Sequence, residues 1–213
     1  NRYPGAACDV QSHMYSLSFA PKTDWSKRYA EAPEIFEYIQ DLTENYQLRQ
    51  YIQFNTEVTG TFYNEQLNTW RIEIDRQENI EAQFVIFASG PLHVPQIPKI
   101  KGIEKFNGKI FHSSQWDHQY DLTGKTVASI GTGGSAIQYI PEIASQVKQL
   151  YVMQRSAAWV IPRDERKYGQ LEKNLFAQQE WFGKLHRIRL YWSNESRVIP
   201  IVQPFAMRYV EKL

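Results

Sequence analysis

The chain has 213 residues, 42% of them hydrophobic, and its 24 Lys+Arg against 23 Asp+Glu leave a formal charge of +1. That length suits one large or two modest domains with a core, and the balanced charge argues against a nucleic-acid ligand or an acidic membrane surface. The single cysteine, Cys8, excludes an internal disulfide, no apolar run approaches the roughly 20 residues of a membrane span, and no signal peptide is visible, so the expected address is cytoplasmic without stable membrane insertion.

Residues 1–30 are aromatic and turn-rich, and they are expected to be irregular. Pro33 suits the first turn of a helix. Ile35, Phe36, Ile39, Leu42 and Tyr46 follow at helical spacing. Three strand signals come next, at residues 52–54, 57–63 and 69–74. Residues 64–68 form the turn between the last two, which predicts a hairpin. The continuous apolar run at residues 84–88 predicts a fully buried strand. Ser89, Gly90 and Pro91 stop it. Pro91, Pro95 and Pro98 then punctuate an extended connection, since each proline turns its predecessor away from helix. The best domain boundary lies here.

Residues 125–130 read as a short buried strand running into Gly131-Thr132-Gly133-Gly134-Ser135-Ala136. A helix is expected over 134–146 and a second strand over 149–153. This is the layout of a dinucleotide turn. Gly131 allows the sharp exit from the strand, Gly133 removes a side chain where a pyrophosphate must approach, and Ala136 keeps the helix close to the strand. The helix start then aims amides and a positive dipole end at the phosphates. The second strand is followed by Gln154-Arg155-Ser156. An NAD-type site would carry a carboxylate there. A guanidinium with a neighbouring hydroxyl suits a 2′-phosphate instead, so NADPH is expected over NADH. The plainer alternatives are an ordinary strand–helix turn and a solvated arginine. From Asp164 the pattern is helical and aromatic, including residues 205–213. It reads as a helical subdomain, with a membrane-surface helix as the alternative.

Ahead of the glycine turn, Phe106, Gly108, His112, Trp116 and Asp117 stand as F-x-G-x-x-x-H-x-x-x-W-D. That motif, followed by G-x-G-x-S-A, resembles the Baeyer–Villiger monooxygenases, a branch of the class B flavoprotein monooxygenases. The N- and S-oxygenating branch has a similar motif that usually ends without Trp-Asp or Trp-Pro. Other segments agree in the same order. Asn1-Arg2-Tyr3-Pro4-Gly5-Ala6 with Cys8-Asp9 is similar to the loop after the FAD-binding turn. Residues 87–92 are similar to the exit from the FAD domain, and Gln154-Arg155-Ser156 to the 2′-phosphate clamp. The resemblance covers most of residues 1–162.

The resemblance implies an α/β protein of two dinucleotide folds. Residues 1–95 would be part of an FAD-binding domain with a small β-meander. Residues 96–162 would be a Rossmann-like NADPH-binding domain with a parallel sheet, and residues 163–213 its helical insertion. The implied activity is an FAD- and NADPH-dependent monooxygenase. It would insert one O₂-derived oxygen beside a ketone carbonyl through a C4a-peroxyflavin, giving an ester or lactone. The alternatives are oxygenation of a sulfide or amine, and a non-catalytic NADPH-binding fragment; a flavin reductase would want a Cys-x-x-Cys pair. By residue, Asp9 would pair with an active-site arginine. Tyr15 and the Val58 backbone would contact FAD. Gly131, Thr132, Gly133, Gly134, Ser135 and Ala136 would hold the NADPH pyrophosphate, with Arg155 and Ser156 on the 2′-phosphate. His112 would serve a linker that moves between domains, with direct acid–base work the lesser role; a structural histidine, a packing role for Trp116 and a turn aspartate at Asp9 are the plain readings. No metal ligand set is expected. Pro91 stands where several relatives carry a polar residue near the nicotinamide. The N-terminal FAD fingerprint and the arginine segment are not found in this sequence. The expectation is therefore a piece of a longer protein, holding little FAD and not turning over by itself.

Overall fold

The computed structural model describes residues 2–75, 78–90, 94–157 and 163–202. Pro91, Leu92 and the expected helix at 205–213 lie outside the described residues. The chain forms two compact units, residues 1–40 with 109–213 and residues 41–108.

The smaller unit is built on an antiparallel meander. Strands β1 (Val58–Asn64), β2 (Thr69–Ile74) and β3 (Ile80–Ala82) pair in sequence order. The expected hairpin is present, with Asn64 opposite Thr69. Its turn is made locally: Asn64 Oδ1 accepts from the Gln66 and Leu67 amides at 3.0 and 3.1 Å, and Asn68 takes a positive φ of 51°. Asparagine tolerates both demands better than most residues. Tyr63 and Trp70 face each other across the pair, with ring centroids 5.2 Å apart.

Two expected strands are absent. Residues 52–54 are irregular, and Ile52 instead closes a 3₁₀ turn by donating to Arg49 O at 3.2 Å. Residues 84–88 are also irregular, with Phe84, Ile86 and Phe87 exposed at 83%, 88% and 69%. A strand buried on both faces exists only with neighbours beside it and layers over it. The meander ends at Ala82, and no described residue pairs with the run.

The larger unit carries the parallel pair. β4 (Thr126–Ile130) and β5 (Gln149–Met153) run in register from Thr126–Gln149 to Ile130–Met153, joined by helix α3 (Ala136–Ala144). The fold is thus α/β. Ile143 and Ala136 are the buried contacts of α3, and Pro141 lies within it shortly before its end.

The remainder of this unit is held by an irregular three-segment ladder that the sequence did not predict. Residues 26–32 form its middle. On one side the Cys8 amide donates to Ala30 O (2.9 Å), Ser12 to Arg28 O (2.7 Å) and Ala32 to Ala6 O (2.8 Å). On the other, Arg28 donates to Arg166 O (2.9 Å) and Tyr168 to Ser26 O (3.0 Å). Beside it lie a short helix α1 (Ser12–Tyr15), in a region expected to be irregular, and helix α2 (Ala32–Asn45), which the sequence did predict. Trp25 is fully buried here. Its indole donates to Ser16 Oγ at 3.1 Å and its ring lies 5.6 Å from Tyr38.

The expected helical region forms α4 (Gln170–Gln178) and α5 (Glu180–Val202). α5 docks on α1 through polar contacts. Gln11 and Asn194 exchange amide hydrogen bonds at 3.1 and 2.9 Å, and Arg187 donates to the carbonyls of His13 and Ser16. Those carbonyls end a helix, where a cation is favoured. Among the described residues, no helix is long and apolar enough to cross a membrane.

Candidate functional site

The glycine turn sits at the C-terminal edge of the parallel pair, where doubly wound sheets bind ligands. Gly131 has φ +103°, a conformation that L side chains rarely adopt. Its amide donates to Met153 O at 2.8 Å. That bond extends the ladder by one residue and fastens the turn to the end of β5. A Cβ at Gly133 or Gly134 would meet nothing within 4 Å, so the backbone there is open to a ligand. The helical bonds begin with Ile137 N–H to Gly133 O (3.2 Å) and Tyr139 N–H to Ser135 O (3.1 Å). The amides before them belong to the unsatisfied start of a helix, which attracts anions. Ser135 makes no capping bond with its side chain, Thr132 is half-buried in the turn, and Ala136 is buried. Arg155 and Ser156 are exposed, two and three residues beyond the Met153 that Gly131 grips. Backbone donors, an open approach and a guanidinium thus share one edge, and the set fits the phosphates of a dinucleotide.

The linker motif lies against the same helix. Trp116 packs between Phe111 and Tyr139, with ring centroids 5.1 Å away on each side. The Tyr139 hydroxyl meets Ser129 Oγ of β4 at 2.7 Å. Trp116 is therefore a packing anchor onto α3. Lys109 and Asp117 form an ion pair at 2.8 Å, and this hydrogen bond holds the Asp117 carboxyl below its ordinary range. His112 is half-buried and caps the 3₁₀ turn Ser113–Gln115. Its Nδ1 accepts from the Ser114 amide at 3.2 Å and meets Ser114 Oγ at 2.8 Å.

The N-terminal loop reaches α3 through a residue that sequence reasoning passed over. Gln138 Oε1 accepts from Tyr3 Oη (3.1 Å) and the Ala7 amide (3.3 Å), and its Nε2 donates to Ala7 O (3.1 Å). A glutamine on a helix usually faces water, so the sequence carried no signal for this. Gly5 lets the loop lie that close: φ is +71°, and a Cβ would stand 2.7 Å from Glu142 Cγ and 2.9 Å from Gln138 O. Gly5→Ala is expected to cost about 1–2 kcal/mol of stability, read as a lowered urea midpoint at unchanged slope.

Asp9, at the end of that loop, is exposed with no ion pair recorded among the described residues, and Tyr15, closing α1, is 44% exposed. Both belong to the unit that holds the glycine turn. Val58 belongs to the other unit, where it opens β1 at an irregularity in the register. Cys8 is buried, which pushes its thiol pKa up and makes it a small apolar residue. Among the described residues, no cluster of His, Cys, Asp and Glu could hold a metal ion.

The sequence also concealed a buried cluster around His13. Its ring lies 4.4 Å from Phe176, 4.9 Å from His186 and 5.0 Å from Tyr168. Neither ring nitrogen has a hydrogen-bond partner among the described residues.

Residues 4–179 match the family model of flavin-binding monooxygenase-like proteins. A Baeyer-Villiger monooxygenase of Pseudomonas aeruginosa is 39% identical over 221 residues, which takes in 100% of this chain and 42% of that protein. Among solved structures, an oxidized steroid monooxygenase bound to NADP matches with a TM-score of 0.75 at 40% identity, covering 84% of this chain and 36% of the other. The OTEMO complex with FAD and NADP matches with a TM-score of 0.75 at 34% identity over 84% of this chain and 36% of its own. The chain spans about two fifths of the length of the curated relatives it matches.

Proposed function

The chain belongs to the flavin-binding monooxygenase-like family, and from that premise we propose that it is the NADPH-binding portion, with part of the FAD-binding portion, of a Baeyer–Villiger monooxygenase. The carrying observation is the Gly131–Met153 bond, which puts an open glycine turn and Arg155 at one sheet edge. The protein's own residues do the binding. The amides of residues 132–136 take the NADPH pyrophosphate. Arg155 takes the 2′-phosphate, with Ser156 adding a hydroxyl. Trp116, anchored on Tyr139, fixes the linker against the helix that carries those amides. His112 positions this linker through its cap on Ser114 rather than moving a proton. Gln138 ties the loop bearing Asp9 to the same helix, and the Asp9 carboxylate and Tyr15 are the proposed FAD-side groups of that region. The Val58 backbone is a further proposed FAD contact. When bound, NADPH and FAD supply hydride transfer and oxygen activation, and the protein contributes orientation and electrostatics.

In domain terms, residues 1–95 contribute to the FAD side, 96–162 form the Rossmann-like NADPH domain and 163–213 its helical insertion. The substrate is a small-molecule ketone, the co-substrate O₂ and the product an ester or lactone. The test is an assay of the longer protein with FAD, NADPH and air on cyclic, linear and aryl ketones, with a sulfide and a tertiary amine alongside. Products one oxygen heavier than their ketones are expected. Sulfoxide or N-oxide alone would assign the protein to N/S oxygenation instead.

A further inference from the structure

Between the ladder and α5 lies a small polar cavity of about 240 Å³, distinct from the glycine turn. Its lining includes Arg28, Arg166, Tyr168, His186, Arg189 and Ser193. Two of the three guanidinium groups are neutralised. Arg28 pairs with Asp164 at the rim, and Arg166 grips both oxygens of Glu172 at 2.9 Å. That grip holds the Glu172 carboxyl below its ordinary range, so it stays an anion. Arg189 has no carboxylate partner among the described residues, so the cavity carries surplus positive charge.

Three of the residues that line the cavity also carry buried polar atoms without a hydrogen-bond partner among the described residues. The Tyr168 side chain is 5% exposed, and its buried hydroxyl has no hydrogen-bond partner among the described residues. The same is true of Arg28 Nε and His186 Nε2. A buried donor without an acceptor carries a desolvation penalty that a ligand acceptor removes. Arg28 Nε–H and the Tyr168 hydroxyl are donors, and Ser193 can add a third. Two guanidinium planes, hydroxyls and an imidazole are the groups that recognise tetrahedral oxyanions. The volume, roughly eight times the liquid share of one water, admits such a group.

We propose that this cavity binds a phosphate-class oxyanion, held by Arg189, Arg28 Nε–H and the Tyr168 hydroxyl. None of these residues belongs to the glycine turn, so the site is independent of the proposed NADPH site. The test is a titration of the full 213-residue chain with inorganic phosphate at constant ionic strength, followed by NMR on the His186 ring. Following that ring localises the response, whatever phosphate does elsewhere. A saturable shift is expected. Tyr168→Phe keeps the ring and removes only the hydroxyl, and it should weaken phosphate about tenfold. Arg189→Gln should weaken it at least as much. Circular dichroism of both variants should match the parent chain. A shift no larger than with matched chloride overturns the proposal. So do variants that bind phosphate like the parent, or acetate saturating as tightly as phosphate.

Discussion

Replacing His13 by Phe will flatten the acid side of this protein's stability curve. Burial first, and then the charges of His186, Arg187 and Arg166, lower the His13 pKa to about 3 from 6.5. The folded chain therefore refuses a proton that the unfolded chain accepts. The contribution to stability is complete above about pH 6.5 and is lost as pH falls toward 3. The loss runs at about 1.4 kcal/mol per pH unit. The ring is only 4% exposed, so solvent screens little of this. His186 is lowered too, again by burial first, and it adds to the same limb. Phe keeps an aromatic ring against Phe176 and Tyr168 and removes two nitrogens that have no partner among the described residues. Urea unfolding between pH 7.5 and 4.5 should show the parent chain weakening steeply below about pH 6.5 and His13→Phe weakening less, by about 1.4 kcal/mol for each unit below that point. Parallel curves would mean that His13 is not the group that matters.

The second large effect concerns which dinucleotide the proposed site at the glycine turn accepts. Arg155→Ala should cut NADP⁺ affinity about tenfold to a hundredfold while leaving NAD⁺ nearly unchanged. A charge-assisted, bidentate contact to a phosphate accounts for a loss of that size. The selectivity follows from position. Arg155 stands two residues past Met153, at the strand end where the adenine ribose would lie, and not on the turn that faces the pyrophosphate. Isothermal titration with both nucleotides distinguishes the possibilities. An equal loss for both would place Arg155 on the pyrophosphate, and no loss for either would make it a solvated charge.

What the sequence disclosed depended on how local the cause was. The Gly131 turn was legible because strand, turn and helix follow one another and because its φ of +103° suits glycine. The 64–68 hairpin was legible because Asn64 and Asn68 make it from their own side chains and backbone. The run at 84–88 misled for the opposite reason. Its composition suits a buried strand, but burial is a property of neighbours, and no described residue supplies them. At the candidate site, Arg155 could be located by counting from a strand, whereas Gln138 could not. Its partners, Tyr3 and Ala7, lie 135 and 131 residues away in sequence. The His13 cluster and the arginine-lined cavity were hidden likewise, because residues from both ends of the larger unit build them. No periodicity marks such a meeting.

The exchange of amide bonds between Gln11 and Asn194 spans 183 residues of chain. During synthesis, the segment around α1 leaves the ribosome long before its docking surface on α5 exists. At roughly 5–20 residues per second, the wait is on the order of ten seconds or more. Throughout it, Gln11 and His13 have no α5 to bury them. Closure of so long a loop is slow compared with the hairpin or α2, which form from near neighbours. The larger unit is therefore expected to complete folding only after α5 has emerged. The segment around α1 is the part a chaperone would need to shield, and slower translation would lengthen its exposure.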